Sequence, residues 1–126
     1  MHNDSHTHET YKSMISIATE GIKTLVLLNG GAIVALLGFL GQVANRKEQA
    51  PEANCPLALF VLGLICACVC YFTSYLTQFT LFNEANNTIK NQCHMKWFLA
   101  TFFFAILSIA VFSCGAFSSL GVFSGN

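Results

Sequence analysis

Three long apolar stretches, residues 22–43, 57–82 and 97–120, govern what this chain can fold into. A membrane-spanning α-helix needs about 20 predominantly apolar residues, and each stretch supplies them. Charged residues lie only at or before Lys23, between Arg46 and Glu52, and between Glu84 and Lys96. In lipid every backbone N–H and C=O must be paired within the protein, so open-ended spans must be helices. The expected fold is all-α: an integral membrane protein with three transmembrane helices in a compact bundle, one membrane domain over residues 1–126. A soluble alternative fails on composition. Apolar residues make up 54% of the chain and charged residues 10%, against about 25% charged in ordinary soluble domains. A core of this size cannot bury that surplus.

The flanks of the spans carry their own signals. Residues 45–56 hold Pro51, Asn54 and Pro56 among charges, the composition of a tight extramembrane turn. Residues 83–91 form a polar run that can stay helical but cannot enter lipid. Trp97, beside Lys96, sits where an interfacial aromatic anchor belongs. The first run is too long for the apolar region of a signal peptide, and no small-x-small site precedes Arg46. Nor is a soluble appendage expected after residue 120. Residues 5–21 are polar, yet Tyr11, Met14, Ile15 and Ala18 recur at helical spacing. The first helix is therefore expected to extend at its N-terminal end, into the cytoplasm or along the interface. Lys12, Lys23, Lys90 and Lys96 outnumber Arg46 and Lys47 across the two sides, which favours a cytoplasmic N-terminus and second loop.

The missing charges exclude whole classes of function. Ionisable residues within spans mark proton relays, voltage sensors and coupling sites, and past Lys23 the three runs contain no Asp, Glu, Lys, Arg or His. Carriers, carboxylate-dependent exporters and voltage sensors are therefore not expected. Neither is an enzyme: no nucleophile and base stand together, and His94 lies at the interface beside Cys93. Six Lys/Arg balance six Asp/Glu, so no basic excess points to nucleic acid. No cofactor is implied. His2, His6 and His8, with Asp4 and Glu9, could hold a metal only weakly, and a polar terminus is the simpler reading. Among the cysteines, Cys66, Cys68 and Cys70 alternate, so on a helix Cys68 faces away from the other two and no shared metal site is expected. Cys93 and Cys114 complete the set with Cys55, which alone lies where an oxidising compartment could reach it.

What remains is the pattern of small and weakly polar residues. On the first span Thr24, Gly31, Ala35, Gly38 and Gln42 share one narrow face, with Glu20 extending it and Gly30 and Gly41 to one side. Small residues let helices approach closely where lipid supplies no hydrophobic drive for association. Asn29 falls on the opposite, mostly aliphatic face. The second span repeats the pattern in Gly63, Cys66, Cys70, Thr73, Thr77, Thr80 and Glu84, with Tyr71, Tyr75 and Gln78 off this seam. The third offers Thr101, Ala105, Ser108, Phe112, Gly115 and Ser119, while Phe98, Phe102, Phe103, Phe104 and Phe117 suit lipid contact. One seam per helix would satisfy a single bundle. Asn29 is then left over, which favours contact between subunits, and a ring of subunits could line a narrow aqueous path with Thr73, Thr77 and Gln78.

The segment LNGGAIVALL, residues 28–37, carries a resemblance. The pattern LNGGAxxALL resembles the opening span of a group of small bacterial membrane proteins, some of them similar to membrane effectors of phage-defence systems. The resemblance covers only the first helix, and it implies a bacterial inner-membrane protein that permeabilises the membrane, with a co-encoded defence protein as partner. The functional expectation is a homo-oligomeric pore-forming or membrane-perturbing effector whose partners are the lipid bilayer and its own copies. A non-conducting accessory subunit of a larger membrane complex is the alternative, and a holin-like protein a third.

Overall fold

The computed structural model describes residues 2–46, 52–86 and 93–124, with side chains described for 9–46, 52–86 and 93–122. It contains three α-helices and no strand among the described residues: α1 (His2–Asn45), α2 (Asn54–Ala85) and α3 (His94–Ser124). All three are long and apolar enough to cross a membrane. The chain is a multi-pass, all-helical membrane protein.

α1 has 44 residues, about 66 Å at 1.5 Å per residue, roughly twice the ~30 Å hydrocarbon core. The excess lies at its N-terminal end, where the helix runs unbroken through residues 5–21 as the spacing of Tyr11, Met14, Ile15 and Ala18 implied. α1 stops at Arg46, whose N–H reaches the carbonyls of both Gln42 and Val43. α2 begins earlier than the turn composition suggested. Asn54 is already helical, and Pro56 lies buried in the first turn, where proline's missing N–H is one that no helix could pair anyway. The turn's Lys47 and Pro51, and Lys90 of the second connection, lie outside the described residues.

Hydroxyl residues within the spans satisfy themselves locally. Thr24, Thr73, Thr77 and Ser113 each donate to the carbonyl four residues back, at 2.9–3.0 Å. This lets a helix carry hydroxyls into lipid without unpaired donors.

α2 is the centre of the bundle. It packs along the full face of α3 and receives α1 on a second side, while α1 and α3 touch little. At the end near Ala53, Leu36 meets Ala53, Phe60 and Val122 in a buried cluster. The Phe60 and Phe112 rings lie 5.7 Å apart at 50° there. Gly115 permits this contact, because a Cβ on it would come within 3.0 Å of the Phe60 ring. Towards its N-terminus α1 stands off α3, and an apolar cleft opens between them.

Candidate helix-association site

The seams of α2 and α3 face one another. Gly63, Cys66, Cys70, Thr73, Thr77 and Thr80 are all buried on α2, opposite half-buried Thr101 and Ala105 and buried Ser108 and Gly115 on α3. The Cys70 Sγ lies 3.5 Å from the Thr101 carbonyl. One turn on, the Thr101 hydroxyl lies 2.8 Å from Thr73 Oγ1 and 3.0 Å from the Trp97 carbonyl. The helices meet here through small and weakly polar groups, as spans do in the absence of a hydrophobic drive.

Near the middle of the bundle one polar junction ties all three helices together. The Asn29 side chain on α1 is fully buried. Its amide donates to the Leu25 carbonyl at 2.9 Å and to Ser108 Oγ on α3 at 3.2 Å. Ser108 passes its own hydrogen to the Gly63 carbonyl on α2 at 2.9 Å. The Asn29 Oδ1 has no hydrogen-bond donor among the described residues. It lies over Gly63, where an added Cβ would overlap the carboxamide, so the group beneath it is a Cα–H, a weak donor.

This placement corrects the expectation that Asn29 is left over for contact between subunits. Its face of α1, with Ile22, Leu25 and Leu36, is the face that packs within the protomer. A carboxamide in hydrocarbon pairs with whatever partners lie in reach, and Ser108 and Gly63 are in reach.

The small-residue face of α1 lies on the other side. Thr24, Gly31, Ala35, Gly38 and Gln42 are all exposed. No atom among the described residues would come within 4 Å of a Cβ at Gly30, Gly31, Gly38 or Gly41. The three seams are therefore used unequally: those of α2 and α3 are buried in one another, and that of α1 is open.

The expectation that a ring of subunits lines an aqueous path with Thr73, Thr77 and Gln78 meets a constraint inside the protomer. Thr73 and Thr77 are buried with their hydroxyls engaged, and Gln78 stands exposed beside the cleft. Thr80 bonds the Leu76 carbonyl and belongs to the same packed seam. Tyr71 and Tyr75 face outward, as do Phe98, Phe102, Phe103 and Phe117, while Phe104 is half-buried.

Glu84 closes the seam. Its carboxylate accepts the His94 backbone N–H at 2.8 Å and lies 2.8 Å from His94 Nδ1. A side chain of α2 thus caps the first turn of α3, pairing one of the N–H groups that a helix start leaves without an intrahelical acceptor. By spacing alone Glu84 only ends the α2 seam. The signal was there in His94, the single polar ring at the head of the third span.

Among the described residues no group of His, Cys, Asp and Glu could hold a metal. The side chains of His2, His6 and His8 lie outside the described residues. Cys66 and Cys70 are buried while Cys68 is exposed, the opposition that their spacing implied. No family model, no curated protein and no solved structure matches this chain.

Proposed function

We propose that this protein works by self-assembly in the bilayer, its copies associating through the open small-residue face of α1 into a pore-forming or membrane-perturbing effector. The observation that carries this reading is the contrast between the two kinds of glycine. Gly63 and Gly115 are closed over by Asn29 and Phe60, whereas Gly30, Gly31, Gly38 and Gly41 meet open space. Glycine in a helix costs about 1 kcal/mol relative to alanine. In a span that cost is recovered where a second backbone approaches closely, and the protomer itself supplies no such partner here. A second copy does.

With the α2–α3 seam packed inside each protomer, a conducting path would form between copies rather than through one. The LNGGAxxALL segment belongs to this same helix, and its resemblance supports a bacterial inner-membrane effector of phage defence with a co-encoded defence protein as partner. The lysine bias supports a cytoplasmic N-terminus. Purified protein reconstituted into dye-loaded liposomes tests the activity. Wild type releases dye, and Gly31→Leu and Gly38→Leu, which thicken the open face, release several-fold less. Liposomes that stay tight with folded wild-type protein would contradict the reading and favour a non-conducting accessory subunit.

A further inference from the structure

The unfilled space between α1 and α3 has definite dimensions. A cavity of about 420 Å³ at the N-terminal end of α1 is walled by all three helices. A groove of about 300 Å³ between α1 and α3 shares four of its residues, Ala18, Ile22, Phe98 and Thr101. Together they run from Tyr11 to Leu25 on α1 and from His94 to Ile109 on α3, about 21–23 Å by the helical rise. That exceeds the ~15 Å of one leaflet's hydrocarbon, half the ~30 Å core. We infer that this trough binds one phospholipid, with an acyl chain lying between α1 and α3 and the headgroup end beside Gln78 and His94.

The trough is narrow as well as long: its two parts hold about 420 and 300 Å³, and an acyl chain, a single file of methylenes, can lie along it.

Chemistry orients that chain. The deep part of the trough is lined by Leu25, Phe102, Ala105 and Ile109, and its one hydroxyl, on Thr101, is engaged with Thr73 and the Trp97 carbonyl. At the mouth Gln78 stands exposed, and the His94 side chain remains 26% exposed. The Gln78 amide can donate to a glycerol ester or phosphate oxygen. Tyr11 stands at the same end, at the level where amphipathic rings sit in a membrane interface. An empty trough would forfeit dispersion contacts along both walls, and the medium outside it is acyl chain.

Native mass spectrometry of the full chain, extracted from membranes in mild detergent, tests this. Wild type retains a single phospholipid per chain. Ala18→Phe and Ala105→Phe, which fill the trough from opposite walls, each lose it while keeping wild-type helicity by circular dichroism. Ala110→Phe, on an exposed face outside the trough, keeps it. Should one filling variant fail to fold, the other decides. Lipid-free wild type overturns the assignment, as does an unchanged lipid count in a folded filling variant. A filling variant that lowers the oligomeric mass with lipid still bound overturns it as well, by giving the trough to a second copy.

Discussion

The Asn29 carboxamide rests on the backbone of Gly63, so closely that no side chain could stand at position 63 without moving it. This contact sets the distance between α1 and α2, and through Ser108 it fixes both against α3. Here a polar side chain of each outer helix meets the central helix.

Replacement of Gly63 by alanine therefore forces either the Asn29 side chain or helix α1 to shift. Overpacking of this kind costs about 1–3 kcal/mol. The expected result is a lower midpoint of thermal unfolding in detergent for Gly63→Ala. Adding Asn29→Ala should restore part of the loss, because residues in contact are energetically coupled. Strict additivity of the two changes would show that the contact is absent.

Asn29→Leu removes the amide while keeping the volume roughly constant. Interhelical hydrogen bonds in membranes contribute about 0.6 kcal/mol on average and up to about 1.7. The variant should lose that much protomer stability, measured by unfolding in mixed micelles. Its oligomeric mass should stay at the wild-type value, since Asn29 faces inward. Dissociation of the oligomer without loss of protomer stability would place Asn29 between subunits after all.

Glu84 caps α3 from the end of α2. Loss of a helix N-cap costs about 1 kcal/mol. Glu84→Ala should accelerate hydrogen exchange at the amides of the first turn of α3, from His94 to Trp97, and leave exchange near Ser108 unchanged. Uniform acceleration along α3 would mean that the carboxylate supports more than the cap.

The facing of α2 can be read from its cysteines. Cys68 is exposed while Cys66 and Cys70 are buried against α3. In detergent, N-ethylmaleimide should modify Cys68, and with it Cys55 and Cys114, which are also exposed. Cys66 and Cys70 should react only on unfolding. Equal modification of Cys66 and Cys68 would rule out the packing described.

Much of this architecture was legible in the sequence. The spans follow from length and charge alone, and the α2 and α3 seams follow from small residues at spacings of three and four. The facing of α1 was not legible, and the reason is physical. In a soluble helix amphipathicity identifies the buried side, but in lipid the core and the surroundings are equally apolar. Gly31, Ala35 and Gly38 looked like the packing face and Asn29 the remainder. The structure reverses them because Asn29 finds Ser108 opposite, a pairing across a separation of 79 residues that no local pattern encodes. The trough between α1 and α3 was equally hidden, since it depends on where α1 leans rather than on what it contains. The Glu84–His94 cap lay between, with both partners visible and only their meeting unforeseen.

Whether the open face of α1 joins one copy to another is read from the subunit mass of the protein in lipid vesicles, for wild type and for Gly31→Leu and Gly38→Leu, by counting fluorescently labelled subunits as they bleach. No described atom lies near either glycine in the protomer, so both variants should fold with wild-type stability. Wild type should form a defined oligomer, and the two variants should be mostly single subunits. A wild-type protein that remains monomeric at every lipid ratio, or variants that assemble as wild type does, would contradict assembly through this face.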